Sequence, residues 1–405
     1  MLMATVAITC IEAQQLTYGK YMEKVFANNT ALTAKQLDTD IAQAKIEHSK
    51  VYNDPEFGIE YGNNEDWELD LGQSISAELS RTFTFGVRKA GIAVAKREKD
   101  ETAAMLNEYI RILHAEATIA YLEHLKAKAL LQYTIGNEKF MQQLATGDSL
   151  RFIRGDIAKS VWTETRMAAN LAHNERLSAE TASRCTAITL GYYMGNMQNA
   201  HLIETGEKLD GTFTGKAKPL DTCIEEAIVH RADLKAALMR VDVAEAIKRF
   251  NSAQRRTNMR ITVGAEYNDA TPSFTKVKAG VAMPIKFSNL NKGARAMDRI
   301  MVEQAEKEAI DARLQIECEV MQAYDNYRTA EQQAATYTNE LLAEADELID
   351  GKRKAYKTGD ISFVEFIEAE RSRNIMQVAY IEALFNKAVQ WVELQKSIGC
   401  RIVFE

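Results

Sequence analysis

Two stretches of the chain alternate apolar and polar residues with a period of two. In the later one, Met259, Ile261, Val263, Ala265 and Tyr267 alternate with Arg260, Thr262, Gly264, Glu266 and Asn268, the pattern of a strand whose faces meet different surroundings. Beyond a turn containing Asp269 and Pro272, the residues Thr275, Val277, Ala279, Val281, Met283, Ile285 and Phe287 continue on one face, while Lys276, Lys278 and Lys286 share the other. Residues 57–79 repeat the scheme: Trp67, Leu69, Leu71, Ile75, Ala77 and Leu79 stand against Glu68, Asp70, Gly72, Ser74, Ser76 and Glu78, with Gln73 the one interruption of the apolar side. The spacing predicts two β-hairpins, about 56–80 and 259–287. A soluble ribbon lying on a helical core would alternate too. Its strands average about 5–6 residues, whereas the second strand of the later hairpin is expected to run about 14, and a strand tilted through a bilayer needs roughly 9–11, apolar outward and polar inward.

Elsewhere the period becomes helical. Leu106, Ile110, Leu113, Ala117, Ala120, His124, Ala127 and Leu131 recur at alternating steps of four and three, a coiled-coil seam. Met105, Tyr109, Ile112 and Ile119 form a second stripe beside it, so this helix needs neighbours on two sides. His124 falls in the seam and reads as a packed, hydrogen-bonded histidine rather than a ligand. Ile316, Val320, Ala323, Tyr327, Ala330, Ala334, Tyr337 and Leu341 step in the same way. The four prolines, Pro55, Pro219, Pro272 and Pro284, leave 56–218 and 285–405 without the residue that removes a backbone donor. Very long helices are therefore permitted, and the arm from Phe85 to about Leu144 would extend roughly 80–90 Å.

The order of elements repeats. A helix over 15–52, broken near Asn28-Asn29, is followed by a hairpin and a long helical hairpin turning at Thr146-Gly147-Asp148; a helix over 221–257 is followed by a hairpin and a long helical hairpin turning at Thr358-Gly359-Asp360. Gly86-Val-Arg88 recurs as Gly293-Ala-Arg295 with a shift of 207, and the two Thr-Gly-Asp triplets are 212 apart. The chain thus reads as two repeats, 14–205 and 221–405, joined by a linker over 206–220 that contains Gly206, Gly211, Gly215 and Pro219. Four strands cannot close a barrel, and open edges are not tolerated in lipid. If the strands cross a membrane, other chains complete the sheet. The apolar run Leu2–Thr9 followed by Ala13-Gln14 reads as a signal peptide over residues 1–13, although it lacks a basic leader; Cys10 is a poor match to a lipidation site.

Composition narrows the chemistry. Of 405 residues, 50 are basic and 57 acidic, for a net charge of −7 without a long basic tract, so nucleic acid is not an expected partner. No run of about 18 apolar residues follows the N-terminus, which excludes a transmembrane helix and leaves a barrel open. Cys185, Cys223, Cys318 and Cys400 are far apart, and the six histidines show no i, i+4 pairing; no metal site, cofactor or enzymatic constellation is expected.

Tyr356-Lys-Thr-Gly359-Asp-Ile-Ser362-Phe-Val-Glu365-Phe-Ile-Glu368-Ala369 is similar to the Tyr-x-x-Gly-x-x-Ser-x-x-Asp-x-x-(Asp/Glu)-Ala signature of the TolC-like outer-membrane efflux proteins. Arg231-Ala232-Asp233-Leu234 resembles their Arg-Pro-Asp-Leu motif, with alanine in place of proline. The resemblance covers nearly everything after the N-terminal segment. It implies a mainly α fold with β-hairpins, four transmembrane strands per chain completing a twelve-stranded barrel in a homotrimer, and long coiled-coil helices forming a tunnel across the periplasm. It further implies an exit duct in outer-membrane lipid, docking to a periplasmic adaptor (membrane fusion) protein and an inner-membrane pump. By position, Gly147 and Gly359 become the tip turns, Glu365 and Glu368 the acidic residues of the aperture, and Tyr356 a gating tyrosine. The arginine and aspartate of the family's closed state read Ile361 and Ile153 here. Arg151 and Arg154, placed after the first turn as Glu365 and Glu368 are after the second, are therefore expected to pair with those carboxylates around the opening. Lys276, Lys278 and Lys286 are expected to face Glu68, Asp70 and Glu78 across the lumen. The rival reading is a soluble periplasmic coiled-coil adaptor or scaffold, which has no use for two hairpins with lipid-length apolar faces.

Overall fold

The computed structural model describes residues 16–63, 73–210, 212–269, 272–285 and 291–404. Residues 1–13 with Cys10, and Glu68, Asp70 and Lys286, lie outside this set. The described elements are α1 (Tyr18–Asn28), α2 (Thr30–Ser49), β1 (Glu56–Asn63), β2 (Gln73–Phe83), α3 (Val87–Arg154), α4 (Lys159–Tyr193), α5 (Leu220–His230), α6 (Ala232–Gln254), β3 (Met259–Asn268), β4 (Phe274–Ala282), α7 (Lys292–Ala335), α8 (Asn339–Thr358) and α9 (Phe363–Ile398). The order helix pair, hairpin, long helical hairpin thus occurs twice. In the second pass the descending arm is in two pieces. Thr338 caps α8 by accepting a hydrogen bond from the Leu341 amide at 3.2 Å, so the expected unbroken seam through Tyr337 and Leu341 stops at Ala335.

The four strands form one antiparallel sheet in the order β1-β2-β3-β4. Their register carries the two faces across all four strands. Phe57–Leu79–Val263–Ala279 and Ile59–Ala77–Ala265–Val277 are rows of one face; Gly58–Glu78–Gly264–Lys278 and Glu60–Ser76–Glu266–Lys276 are rows of the other. β4 has nine residues, not about 14, because its ladder ends before Pro284, which has no amide proton to continue it. Lys276 and Lys278 both form ion pairs with Glu266 on the neighbouring strand, the first at 3.8 Å, where a partner across the lumen was expected. The apolar face is bare: Val277 is 81% exposed and Phe57 67%. Among the described residues β1 and β4 each keep one edge unpaired.

Contacts divide the chain into two compact units, one comprising residues up to Ala34 with Tyr109–Arg231 and Gln315–Glu405, the other Lys35–Glu108 with Ala232–Leu314. In the second unit, Asp298 of α7 is buried and accepts hydrogen bonds from Asn251 at 2.8 Å and Arg255 at 2.6 Å, fastening α7 to the end of α6 beside the core of Ala244, Val302 and Ala305.

In the first unit the segment around 206–220 is packed along much of its length. Glu207 accepts from the Tyr18 amide and the Tyr121 hydroxyl, Leu16 and Thr205 form a parallel bridge, and Phe213 is buried among Tyr18, Tyr121 and Phe404. Gly215 lies so close to Trp391 that a Cβ there would sit 2.5 Å from the ring. The two breaks between short helices use matching devices. Asn29, between α1 and α2, donates to the Tyr193 carbonyl at the end of α4 (3.0 Å), and Arg231, between α5 and α6, donates to the Ser397 carbonyl near the end of α9 (3.3 Å) and to Glu319. The left-handed glycines that follow those helix ends, Gly195 (φ 66°) and Gly399 (φ 78°), pack against the same two breaks, Gly195 at Asn28 and Gly399 at Arg231.

His124 is buried in the seam, as expected, with Nδ1 3.0 Å from the Thr186 hydroxyl. Burial pushes its pKa down from 6.5 to about 4, and Lys128 adds to the shift. Between those values the unfolded chain binds a proton that the folded chain refuses, so stability falls as the pH drops through this window. Acidification to about pH 4 is expected to lower the unfolding free energy by up to about 3 kcal/mol through this residue. Denaturant titrations of wild type and His124→Gln should differ in slope across that window, with the variant flatter.

Candidate functional site

The two long helical hairpins turn by the same device. α3 runs unbroken through 68 residues to Arg154, and Gly155, with φ 84°, reverses the chain while the Asp156 amide bonds back to the Arg151 carbonyl at 2.9 Å. α8 ends at Gly359, with φ 88°, and the Asp360 amide bonds to the Ala355 carbonyl at 2.9 Å. Only glycine adopts this left-handed conformation without strain. The next helices start at Ala158, without a side-chain cap, and at Ser362, whose hydroxyl accepts from the Glu365 amide at 3.2 Å.

Gly359 is thus a turn, whereas Gly147 is helical and the first turn lies eight residues later at Gly155. The matching segments are Gly155-Asp156-Ile157-Ala158 and Gly359-Asp360-Ile361-Ser362, 204 apart rather than 212. Two further expectations change with that register. Arg151 and Arg154 precede the turn, in the last turn of α3 where the helix dipole favours cations. The position assigned to Ile153, six residues past the presumed turn, becomes Val161. It is still apolar, so the family's arginine–aspartate pair remains absent.

The expected arginine–glutamate pairs do not form within the chain. Arg151 bonds Asp148 at 3.3 Å, Glu365 pairs with Lys352, and Arg154 and Glu368 are exposed without an ion pair among the described residues. Tyr356, in contrast, is central. Its hydroxyl donates to the buried carboxylate of Asp148 at 2.7 Å, and Thr165 donates to the same oxygen at 2.8 Å. Its ring stacks on Phe366 at 5.2 Å, and the Arg151 guanidinium lies 5.4 Å from the ring centroid. Burial, reinforced by Asp148, pushes the Tyr356 hydroxyl well above the usual tyrosine range, so it stays a donor. A single carboxylate that is 2% exposed therefore joins α3, α4 and α8, while Phe363 and Phe366 bring α9 against Tyr356.

Two charged clusters flank this hub. Glu370 of α9, 1% exposed, receives Arg353 of α8 at 2.6 Å, and that guanidinium lies 3.9 Å from the Phe140 ring centroid. Glu138 of α3 receives His173 and Arg176 of α4, each at 2.6 Å. The His173 hydrogen bond and then the Arg176 charge hold the Glu138 carboxyl below the usual range. Sequence reasoning passed over Asp148 as a hub. The signal was present, because Met141, Leu144 and Asp148 step by three and four along the inward stripe of α3, leaving a carboxylate where an apolar residue belongs.

The two glycines make the register testable. A Cβ on Gly147 meets nothing within 4 Å, whereas Gly155 holds φ 84°. Gly147→Ala should raise the thermal midpoint, by roughly 1 kcal/mol of helix propensity, and Gly155→Ala should lower it by roughly 1–3 kcal/mol of backbone strain. Calorimetry of the two variants should give shifts of opposite sign.

Comparison with known proteins agrees with this architecture. Residues 223–400 match the family model described as outer membrane efflux protein. No curated protein sequence matches the chain. Among solved structures, the outer membrane protein VceC of Vibrio cholerae is similar at a TM-score of 0.73 and 14% identity, over 95% of this chain and 96% of that one. The Campylobacter jejuni CmeC outer membrane channel is similar at 0.75 and 12%, over 94% and 85%. CusC, a protein that forms a transmembrane channel, is similar at 0.74 and 15%, over 95% and 92%. Residues 223–400 thus resemble the outer membrane efflux protein family, and the fold is shared with these solved outer-membrane proteins over nearly the whole chain.

Proposed function

We propose that this chain is the passive exit duct of a tripartite efflux pump or secretion system. Three copies close a twelve-stranded barrel in the outer membrane, and their long helices line a periplasmic tunnel that docks on a periplasmic adaptor protein and an inner-membrane pump. The observation that carries this reading is the four-stranded sheet, bare on its apolar face and, among the described residues, open at both edges. Lipid tolerates neither open edge, so further strands must complete the ladder. Exposed apolar side chains on the helices, including Leu171 and Ile375 at 63% and 62%, suit contact with neighbouring copies. An adaptor or scaffold gains nothing from the bare sheet face. The duct catalyses no reaction in this reading. The two repeats, 14–205 and 221–405, descend from one unit, as the matching turns and helix-break devices suggest.

Closure in this reading lies at the turns. Tyr356 and Asp148 hold the two helical hairpins of each chain together, Arg151 is committed to that hub, and the exposed Glu365 and Glu368 are left to line the opening and favour cations. Lys276 and Lys278 line the lumen, where their partner is Glu266.

Detergent-extracted protein should have about three times the 45.5 kDa chain mass by light scattering once detergent is subtracted; a stable monomer would contradict the duct. In planar bilayers, Tyr356→Phe removes a hydrogen bond to a buried charge. A loss of about 2 kcal/mol should raise the ratio of open to closed time roughly 30-fold, and conductance traces like those of wild type would remove the hub from the gate.

A further inference from the structure

A cavity of about 1030 Å³ opens where β2 gives way to α3. It is lined by His48 in the last turn of α2 and Tyr52 beyond it, Arg81 and Phe83 at the end of β2, Arg88 in the first turn of α3, and Phe250 of α6, and among the described residues no carboxylate contributes to its wall. Arg88 is held in place: Nε donates to the Lys50 carbonyl at 2.6 Å, Nη1 donates to the Tyr52 hydroxyl at 3.2 Å, and the guanidinium lies 4.2 Å from the Tyr52 ring centroid. Arg81 lies 5.9 Å from the same ring and 5.5 Å from that of Phe83. Neither arginine has an ion pair among the described residues. The first turn of α3 also contains no acidic residue.

The place of Arg81 in the sheet is the second observation. Register sets it beside Ile261 and Val281, in file with Leu79 and Phe83, on the bare apolar face. It is the one charged residue of that face in β1–β4, and it stands two residues from the end of its strand. A guanidinium on a lipid-facing surface is strongly disfavoured at the midplane but is accepted at the interface, where it meets headgroup phosphates. Arginine binds phosphate through paired N–H donors, and aromatic rings favour the same depth.

We propose that this cavity binds the phosphodiester headgroup of an anionic phospholipid, with Arg81 and Arg88 clamping the phosphate and Tyr52, Phe83 and Phe250 receiving the glycerol and upper acyl chain. The proposal rests on the sheet being transmembrane. A soluble phosphate would satisfy the arginines but would leave unexplained why one of them sits on the apolar face. The lipid belongs to the leaflet on the helical side of the sheet and fixes the depth of the barrel at its rim.

The test uses full-length protein that has remained with the membrane through a carbonate wash; a chain that washes out refutes the transmembrane reading itself. After delipidation in a neutral detergent, the protein is titrated with phosphatidylglycerol, phosphatidylcholine or glycerol phosphate, and bound ligand is counted by native mass spectrometry. One phosphatidylglycerol should bind per chain, with the other two probes weaker by about tenfold or more. Each arginine beside an anionic headgroup is worth a factor of about five, so Arg81→Gln with Arg88→Gln should weaken phosphatidylglycerol roughly 25-fold, and Arg81→Lys with Arg88→Lys should retain most of the affinity. Glycerol phosphate binding as tightly as the lipid would overturn the lipid assignment. Undiminished lipid binding by the glutamine variant, or by Arg81→Gln alone if the double variant does not fold, would overturn the site.

Discussion

Backbone pairing is the constraint on which the rest depends. A strand in lipid must satisfy every N–H and C=O against a neighbour, and the described residues supply four strands with two free edges. In the proposed duct one chain therefore cannot be the finished object, and its surfaces fit that reading. One face of the sheet is apolar and bare, the other carries Glu266 with its two lysines, and the helices leave large apolar residues exposed. The strand lengths of eight to eleven residues also suit the proposed crossing of a bilayer.

The helices meet a related problem by a repeated solution. A helical hairpin needs its carbonyl ends satisfied and its direction reversed, and left-handed glycines do both at Gly155, Gly359, Gly195 and Gly399. The pairs 155 and 359, and 195 and 399, have one spacing, 204. Where the two halves differ, the difference is local. Asn29 bridges with a short amide in the first half, and Arg231 reaches with a guanidinium in the second.

Much of the fold was legible in the sequence because it is written in periodicity. Alternation fixed both strand faces, and the four-three steps found the buried seam from Leu113 to Ala127 with His124 in it. The turns were less legible. Thr146-Gly147-Asp148 looks like Thr358-Gly359-Asp360, but a glycine with open space around it is tolerated inside a long helix, and only the backbone reveals which glycine is left-handed. That misplacement carried Arg151 and Arg154 to the wrong side of the turn. Tyr356 was found through a family motif; its partner Asp148 was not, because a contact between residues 208 apart has no local signature.

In the proposed duct, the contrast between the surface charges and the Asp148 hub bears on which of them would act as a latch. Exposed pairs such as Lys352 with Glu365 contribute about 0–1 kcal/mol and weaken with salt. They tune a surface rather than hold one shut. Asp148 has three donors and almost no water, and separating it from Tyr356 would leave a buried charge short of a partner, at about 1–3 kcal/mol or more. The same burial keeps the Tyr356 proton on its oxygen, so the bond does not loosen across ordinary pH. A contact of this kind has two discrete states: made, or broken with its helices moved apart and water admitted. That bistability is what a gate requires, and an aperture lined only by solvated ion pairs lacks it.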